Sequence, residues 1–205
     1  MIYQKNIGFR GFIRIILVFS GLQAFFCLHL FSQVSREWVQ RFNGTDNRFD
    51  IANTIRLDVN SNIYLSGTTA SAGTSTDILA LKYSPSGVVL WQAVFNGYSG
   101  NIDQANGSFL DNSGNFYITG FTSDTNDILK VITLKFSSSG AMLWSKVFLP
   151  TGYNQGFGQA VIADNSSNVF TCGYIRRPNR SYTLLVLKYS SAANPLHSTR
   201  LTLSP

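Results

Sequence analysis

The chain is short of charge. Of its 205 residues, 16 are Lys or Arg and 10 are Asp or Glu, so charged residues make up 13%, about half the ~25% of an ordinary soluble domain. Cysteine and histidine are nearly absent, with two of each. Cys27 and His29 fall in an apolar N-terminal stretch, which leaves Cys172 and His197 beyond it. A single cysteine excludes an intramolecular disulfide in that region. One histidine and one cysteine do not make a conventional zinc site. No GxSxG nucleophile elbow occurs, and no GxxxxGK[ST] phosphate loop. No metal, cofactor or catalytic residue is therefore assigned, and the chain is not read as an enzyme. Ser, Thr, Asn and Gly are plentiful, and aromatics reach 14%. That mixture suits short strands and many turns, which points to an all-β protein.

Residues 1–32 differ from the rest. Lys5, Arg10 and Arg14 precede 17 uncharged residues, Ile15 to Phe31. A basic start and an apolar centre describe a secretory signal peptide, with cleavage expected near Ser32 or Gln33. The alternative is an uncleaved anchor, but the run is shorter than the ~20 residues that span a bilayer. Cys27 is a poor lipoprotein site, because bulky Phe25 and Phe26 precede it. Removal of the segment leaves thirteen bases against ten acids, a net +3 instead of +6. The basic balance is thus a weak argument for nucleic acid. The expectation is an exported protein, outside the cell or on the envelope surface. It meets the membrane only through its signal peptide, and residues 33–205 form the mature part.

A repeat of 53 residues runs through that part. Trp38, Trp91 and Trp144 keep this spacing. So do Asp58, Asp111 and Asp164; Gly67, Gly120 and Gly173; and Lys82, Lys135 and Lys188. Each copy divides into four short β-rich runs joined by turns of Asn, Ser, Pro and Gly, as in Val59-Asn-Ser-Asn62 and Pro85-Ser-Gly87. Such turns between short runs read as hairpins. Four antiparallel strands repeated every ~50 residues is the signature of a β-propeller blade. The blades are expected at about 50–97, 103–150 and 156–205, with a leading outer strand at 35–44. The recurring Trp would fill the wedge between neighbouring sheets.

LALKYSPSGVVLW with LDVNSNIYLSGTT, and VITLKFSSSGAMLW with DNSGNFYITGFTS, resemble the bacterial seven-bladed β-propeller repeat (SBBP). DNSSNVFTCGY with LLVLKYSS is a weaker third copy. The resemblance covers about residues 35–190. It implies a propeller of an exported or surface protein, and it implies no shared catalytic residues. Three blades are fewer than the 4–8 of closed propellers, and His197 stands where a fourth Trp would fall. An open arc, a part of a longer propeller, or several chains that together complete a ring are the expected forms.

Asp58-x-Asn-x-Asn62 and its two counterparts look like half a calcium loop. The Gly and Glu that such a loop needs at its sixth and twelfth positions are missing. The acids are expected to cap their own turns, and the repeated lysines to pack their stems with the head paired or solvated. Cys172 is expected to be a small buried hydrophobe. Binding is expected in loops that differ between copies, at the end opposite the tight turns. Asp124 and Asp127 lie in the second copy, and Arg176, Arg177 and Arg180 in the third. Tyr98 and Tyr153 flank the connections between copies. The acidic loop beside the basic one admits an ion pair between blades, or a surface for a protein or glycan. The expected role is a non-catalytic scaffold or recognition module at the bacterial surface. A polysaccharide-acting hydrolase or lyase is the rival reading, with Asp50 and Asp103 as its carboxylates, although Gly156 takes their place in the third copy. A truncated propeller without its own function is the third.

Overall fold

The computed structural model describes residues 35–201 except 72, 74, 98, 99 and 192–194. Residues 1–32, expected to be a signal peptide, and Tyr98 lie outside the described residues. The described chain is all-β and contains no helix. Twelve strands follow one another as three four-stranded antiparallel meanders. The first holds β1 (Asp50–Leu57), β2 (Ile63–Thr69), β3 (Asp77–Tyr83) and β4 (Val89–Phe95). The second holds β5 (Asp103–Leu110), β6 (Phe116–Ser123), β7 (Leu129–Phe136) and β8 (Met142–Phe148). The third holds β9 (Gln155–Ala163), β10 (Val169–Arg176), β11 (Tyr182–Tyr189) and β12 (Pro195–Leu201).

The first meander is a sheet by itself, and the other two form one mixed eight-stranded sheet. A single parallel pair, Leu129↔Gln155, makes that join. The same contact recurs 53 residues earlier as the bridge Thr76↔Ile102. Both junctions between copies are thus built alike.

Each meander also bends at the same place. The register slips between Ala52 and Thr54, between Ala105 and Gly107, and on the third copy's β10 between Cys172 and Gly173. Asn53, Asn106 and Gln159 are the extra residues, one β-bulge per copy. This bulge explains the repeated glycine. A Cβ on Gly67, Gly120 or Gly173 would stand 2.2, 1.8 or 1.9 Å from the carbonyl oxygen of Ile51, Gln104 or Phe157. No side chain fits under a bulge so close.

The copies stack through side chains. Tyr64, Ile78 and Ala80 of the first meet Ala105, Phe116, Ile118, Ile132 and Leu134 of the second. Tyr117 and Val131 of the second meet Val161, Val169, Leu185 and Leu187 of the third. The middle copy is covered on both faces, so every residue of β6 is buried. That is why its sequence alternates so weakly.

Residues 35–44 form no strand, contrary to expectation. Each outer strand pairs with the third strand of its own meander, and among the described residues none precedes residue 35 to pair with this segment. The segment nevertheless takes an outer strand's place. Trp38 donates its indole N–H to the Pro85 carbonyl at 2.9 Å, and Phe42 packs on Leu79, Leu81 and Tyr83.

Candidate functional site

The repeated acids build turns. Asp58 Oδ1 accepts the backbone N–H groups of Asn60 and Asn62 at 2.9 Å each, and Asn62 Nδ2 donates to Oδ2 at 2.8 Å. Asp111 and Asp164 repeat this geometry with Ser113 and Asn115 and with Ser166 and Asn168. Burial raises the Asp58 pKa, but the Asn62 side chain, the two backbone donors and the Lys82 charge outweigh it and hold the carboxyl below its ordinary value. The repeated lysines lie over aromatic rings. Lys82 Nζ is 4.6 Å from the Tyr64 ring and 3.6 Å from Asp58. Lys135 is 5.1 Å from Tyr117, and Lys188 is 5.1 Å from Phe170. Acid, aromatic and base thus form one brace per copy.

Asp50 and Asp103 also serve the chain's own backbone. Asp50 accepts Gly44 N–H at 2.9 Å and the Thr69 hydroxyl at 2.6 Å. Asp103 accepts Gly97 N–H at 2.6 Å and faces Thr122. Both tie the incoming connection to the first strand. The third copy has Pro150, Gly156 and Ile175 at the three positions. Donor, acceptor and hydroxyl therefore disappear together. Burial raises the Asp103 pKa, the facing Thr122 hydroxyl and the Gly97 N–H oppose that, and the nearby charge of Asp77 adds to the rise.

The end that carries the differing loops holds Asp124, Asp127, Arg176, Arg177 and Arg180. The connections 124–128 and 177–181 are as tight as the capped turns, contrary to the expectation of longer loops. Asp124 explains the first: it accepts Asn126 and Ile128 N–H, the same cap as Asp58. Its spacing from Asn126 repeats Asp58-x-Asn60, a signal that sequence reading passed over. In the third copy Asn179 caps Ser181. Asp127 and Arg180 hold equivalent left-handed positions, with φ 59° and 68°.

Asp124 pairs with Lys130 of its own hairpin at 2.9 Å. That bond, with the turn N–H groups of Asn126 and Ile128, lowers its pKa. The expected ion pair from this loop to the arginine loop is not formed. Arg177 and Arg180 are exposed and, among the described residues, make no ion pair. Tyr153 is buried in the core of the third copy, with the Arg177 guanidinium 5.1 Å from its ring. Its ring supports the arginine and is not an open stacking surface. Arg176 turns instead toward Tyr182, 6.0 Å away. Tyr182, Tyr174 and Phe157 form an aromatic row that sequence reading missed, with centroids 5.6 and 4.9 Å apart.

Cys172 is exposed, which corrects the expectation of burial. Its counterparts Ser66 and Thr119 are completely buried because another copy covers them. Among the described residues no further copy covers Cys172.

No protein-family profile matches the chain, and no curated protein matches it. Among solved structures, one described as the crystal structure of the eukaryotic initiation factor aligns with 73% of this chain and 55% of its own length, at 9% identity and a TM-score of 0.24. This chain thus spans about half the length of that neighbour.

Proposed function

We propose that this chain is an exported, non-catalytic β-propeller repeat protein. It acts as a recognition module that binds an acidic glycan or protein at the bacterial surface. Its meanders are the blades, and its resemblance to the SBBP repeat is the basis for placing it in the envelope or outside. Export rests on the basic and apolar residues 1–32.

One observation carries the binding role. The repeated polar residues are all engaged in turns, braces and junctions. Arg177 and Arg180 belong to the third copy alone and are exposed and, among the described residues, without a counter-charge at the end where the copies differ. Guanidinium groups on a rigid hairpin suit planar carboxylate recognition. Asn179 holds that hairpin by accepting Ser181 N–H at 3.0 Å. A glycan array probed with purified protein tests the reading. Retention on uronate-bearing glycans, lost in Arg177→Ala/Arg180→Ala with an unchanged melting temperature, is the expected result. Turnover of a polysaccharide that Asp103→Asn abolishes would replace this reading with the enzymatic one.

A further inference from the structure

We propose that the uncovered face of the third meander docks on the uncovered face of the first meander of a second copy, head to tail. This inference rests on how the copies stack and is independent of the ligand at the arginine loop.

Each internal junction joins the same two faces. The forward face of one copy, with positions such as Ile78 and Val131, covers the rear face of the next, with positions such as Ser108 and Val161. Among the described residues both ends of the stack carry exposed apolar side chains. Ile78 and Val131 are 0% exposed, whereas their counterpart Leu184 is 49% exposed. Ser108 and Val161 are each 3% exposed, whereas their counterpart Ile55 is 59% exposed. The forward face of the third meander presents Ile162, Cys172, Tyr182 and Leu184. The rear face of the first presents Ile55 and Leu57 beside Leu79, Leu81 and Tyr83, which are buried with Phe42 packed on them.

The two open faces match by the chemistry of the internal junctions. Near the inner strand, the Thr54 hydroxyl bonds the Ser108 hydroxyl across the first junction. The positions equivalent to that pair at the open ends are Ala160 and Ile55, both apolar. Deeper in the sheet, Thr133 bonds Thr171 across the second junction at 3.0 Å. Its first-junction counterpart is Ala80 with Ile118, in one apolar cluster. The open ends carry Val186 and Leu65 there. Like meets like at each pair, and both open pairs are apolar. A face meant for water would not carry apolar side chains at all four positions.

The anchor for this junction is already in place. His197 stands where the third outer strand should carry Trp. Trp38 and Phe42 occupy the outer-strand position on the first meander. Residues 37–44 form no strand within their own chain, and the outer edge of β11 is already paired with β12. The contact joins two different faces, so it either closes a two-chain ring or propagates.

Sedimentation equilibrium of the protein, purified from cells expressing the full chain, tests the proposal. The mass should at least double as concentration rises. Leu184→Asp and Ile55→Asp should each abolish this, and both replace solvent-facing side chains, so the fold survives. An equimolar mixture of the two variants should recover association, because each retains one intact face. A monomer at every concentration overturns the proposal. Association that survives Ile55→Asp also overturns it, since a like-on-like contact of the third meander would not need that residue.

Discussion

Trp91 donates its indole N–H to the carbonyl of Ser138, 47 residues later, at 3.0 Å. Its ring lies on Gly140, where a Cβ would come within 2.7 Å of it. Trp38 repeats both contacts with Pro85 and Gly87. Trp91 thus fastens its own sheet to a turn of the following one, and Trp38 fastens the leading segment to a turn of the first. In the third turn Ala193 replaces the glycine, and among the described residues Trp144 Nε1 has no hydrogen-bond partner.

Trp91→Phe keeps the ring area and removes the donor. It should lower stability by roughly 0.5–1.5 kcal/mol, the net worth of one hydrogen bond. Trp144→Phe removes a donor that bonds nothing, so it should be nearly neutral. Gly140→Ala should cost more than either, because φ is +87° there and the ring blocks the methyl. Urea melts of the three variants check the order.

Ser61 and Ser167 sit in the left-handed region, both with φ 60°, where the second copy has Gly114 with φ 77°. A non-glycine residue there costs on the order of 1 kcal/mol, partly offset by glycine's greater unfolded-state freedom. Ser61→Gly and Ser167→Gly should each raise the melting temperature, and together they should add, since they lie in separate turns.

Asp103→Ala leaves the Gly97 N–H without its acceptor inside the junction. The expected loss is about 1–3 kcal/mol. Adding Gly97→Pro and Thr122→Ile copies the third meander's solution and should recover part of that loss. A sum of three independent penalties would show that the positions do not act as a unit.

Acid should weaken the fold through the turn caps. Asp58 and Asp164 have lowered pKa values, Asp58 against the effect of its burial and Asp164 first through its Asn168 bond. A lowered folded-state value means stability that is present above the ordinary carboxylate range and lost as pH falls through the folded value. Asp103, raised by burial, acts with the opposite sign, its contribution being lost as pH rises. The melting temperature should fall from pH 5 toward pH 3, around the ordinary carboxylate pKa of ~4. Asp58→Asn/Asp164→Asn should flatten that fall.

Much of this was legible in the residues. The spacing of Trp, Asp, Gly and Lys revealed the repeat and the four strands per copy, because each residue recurs for a local reason. The bulge was not legible, since Asn53, Asn106 and Gln159 look like ordinary strand residues. The exposure of Cys172 was hidden too, because burial at that position depends on a following copy and not on its neighbours in sequence. Tyr153 was assigned to a binding surface by its place in a connection, yet the turn carries its ring into the core. The aromatic row at Tyr174 and Tyr182 escaped notice because it breaks the repeat.

The central claim is that repeated polar residues serve the scaffold and the differing arginine hairpin serves recognition. Hydrogen exchange of the purified protein, with and without polygalacturonate as an acidic probe, tests it most directly. Slowed exchange confined to residues 176–181 is the predicted result. Protection at the Asp58, Asp111 and Asp164 turns, or at Asp50 and Asp103, with the arginine hairpin unchanged, would contradict it.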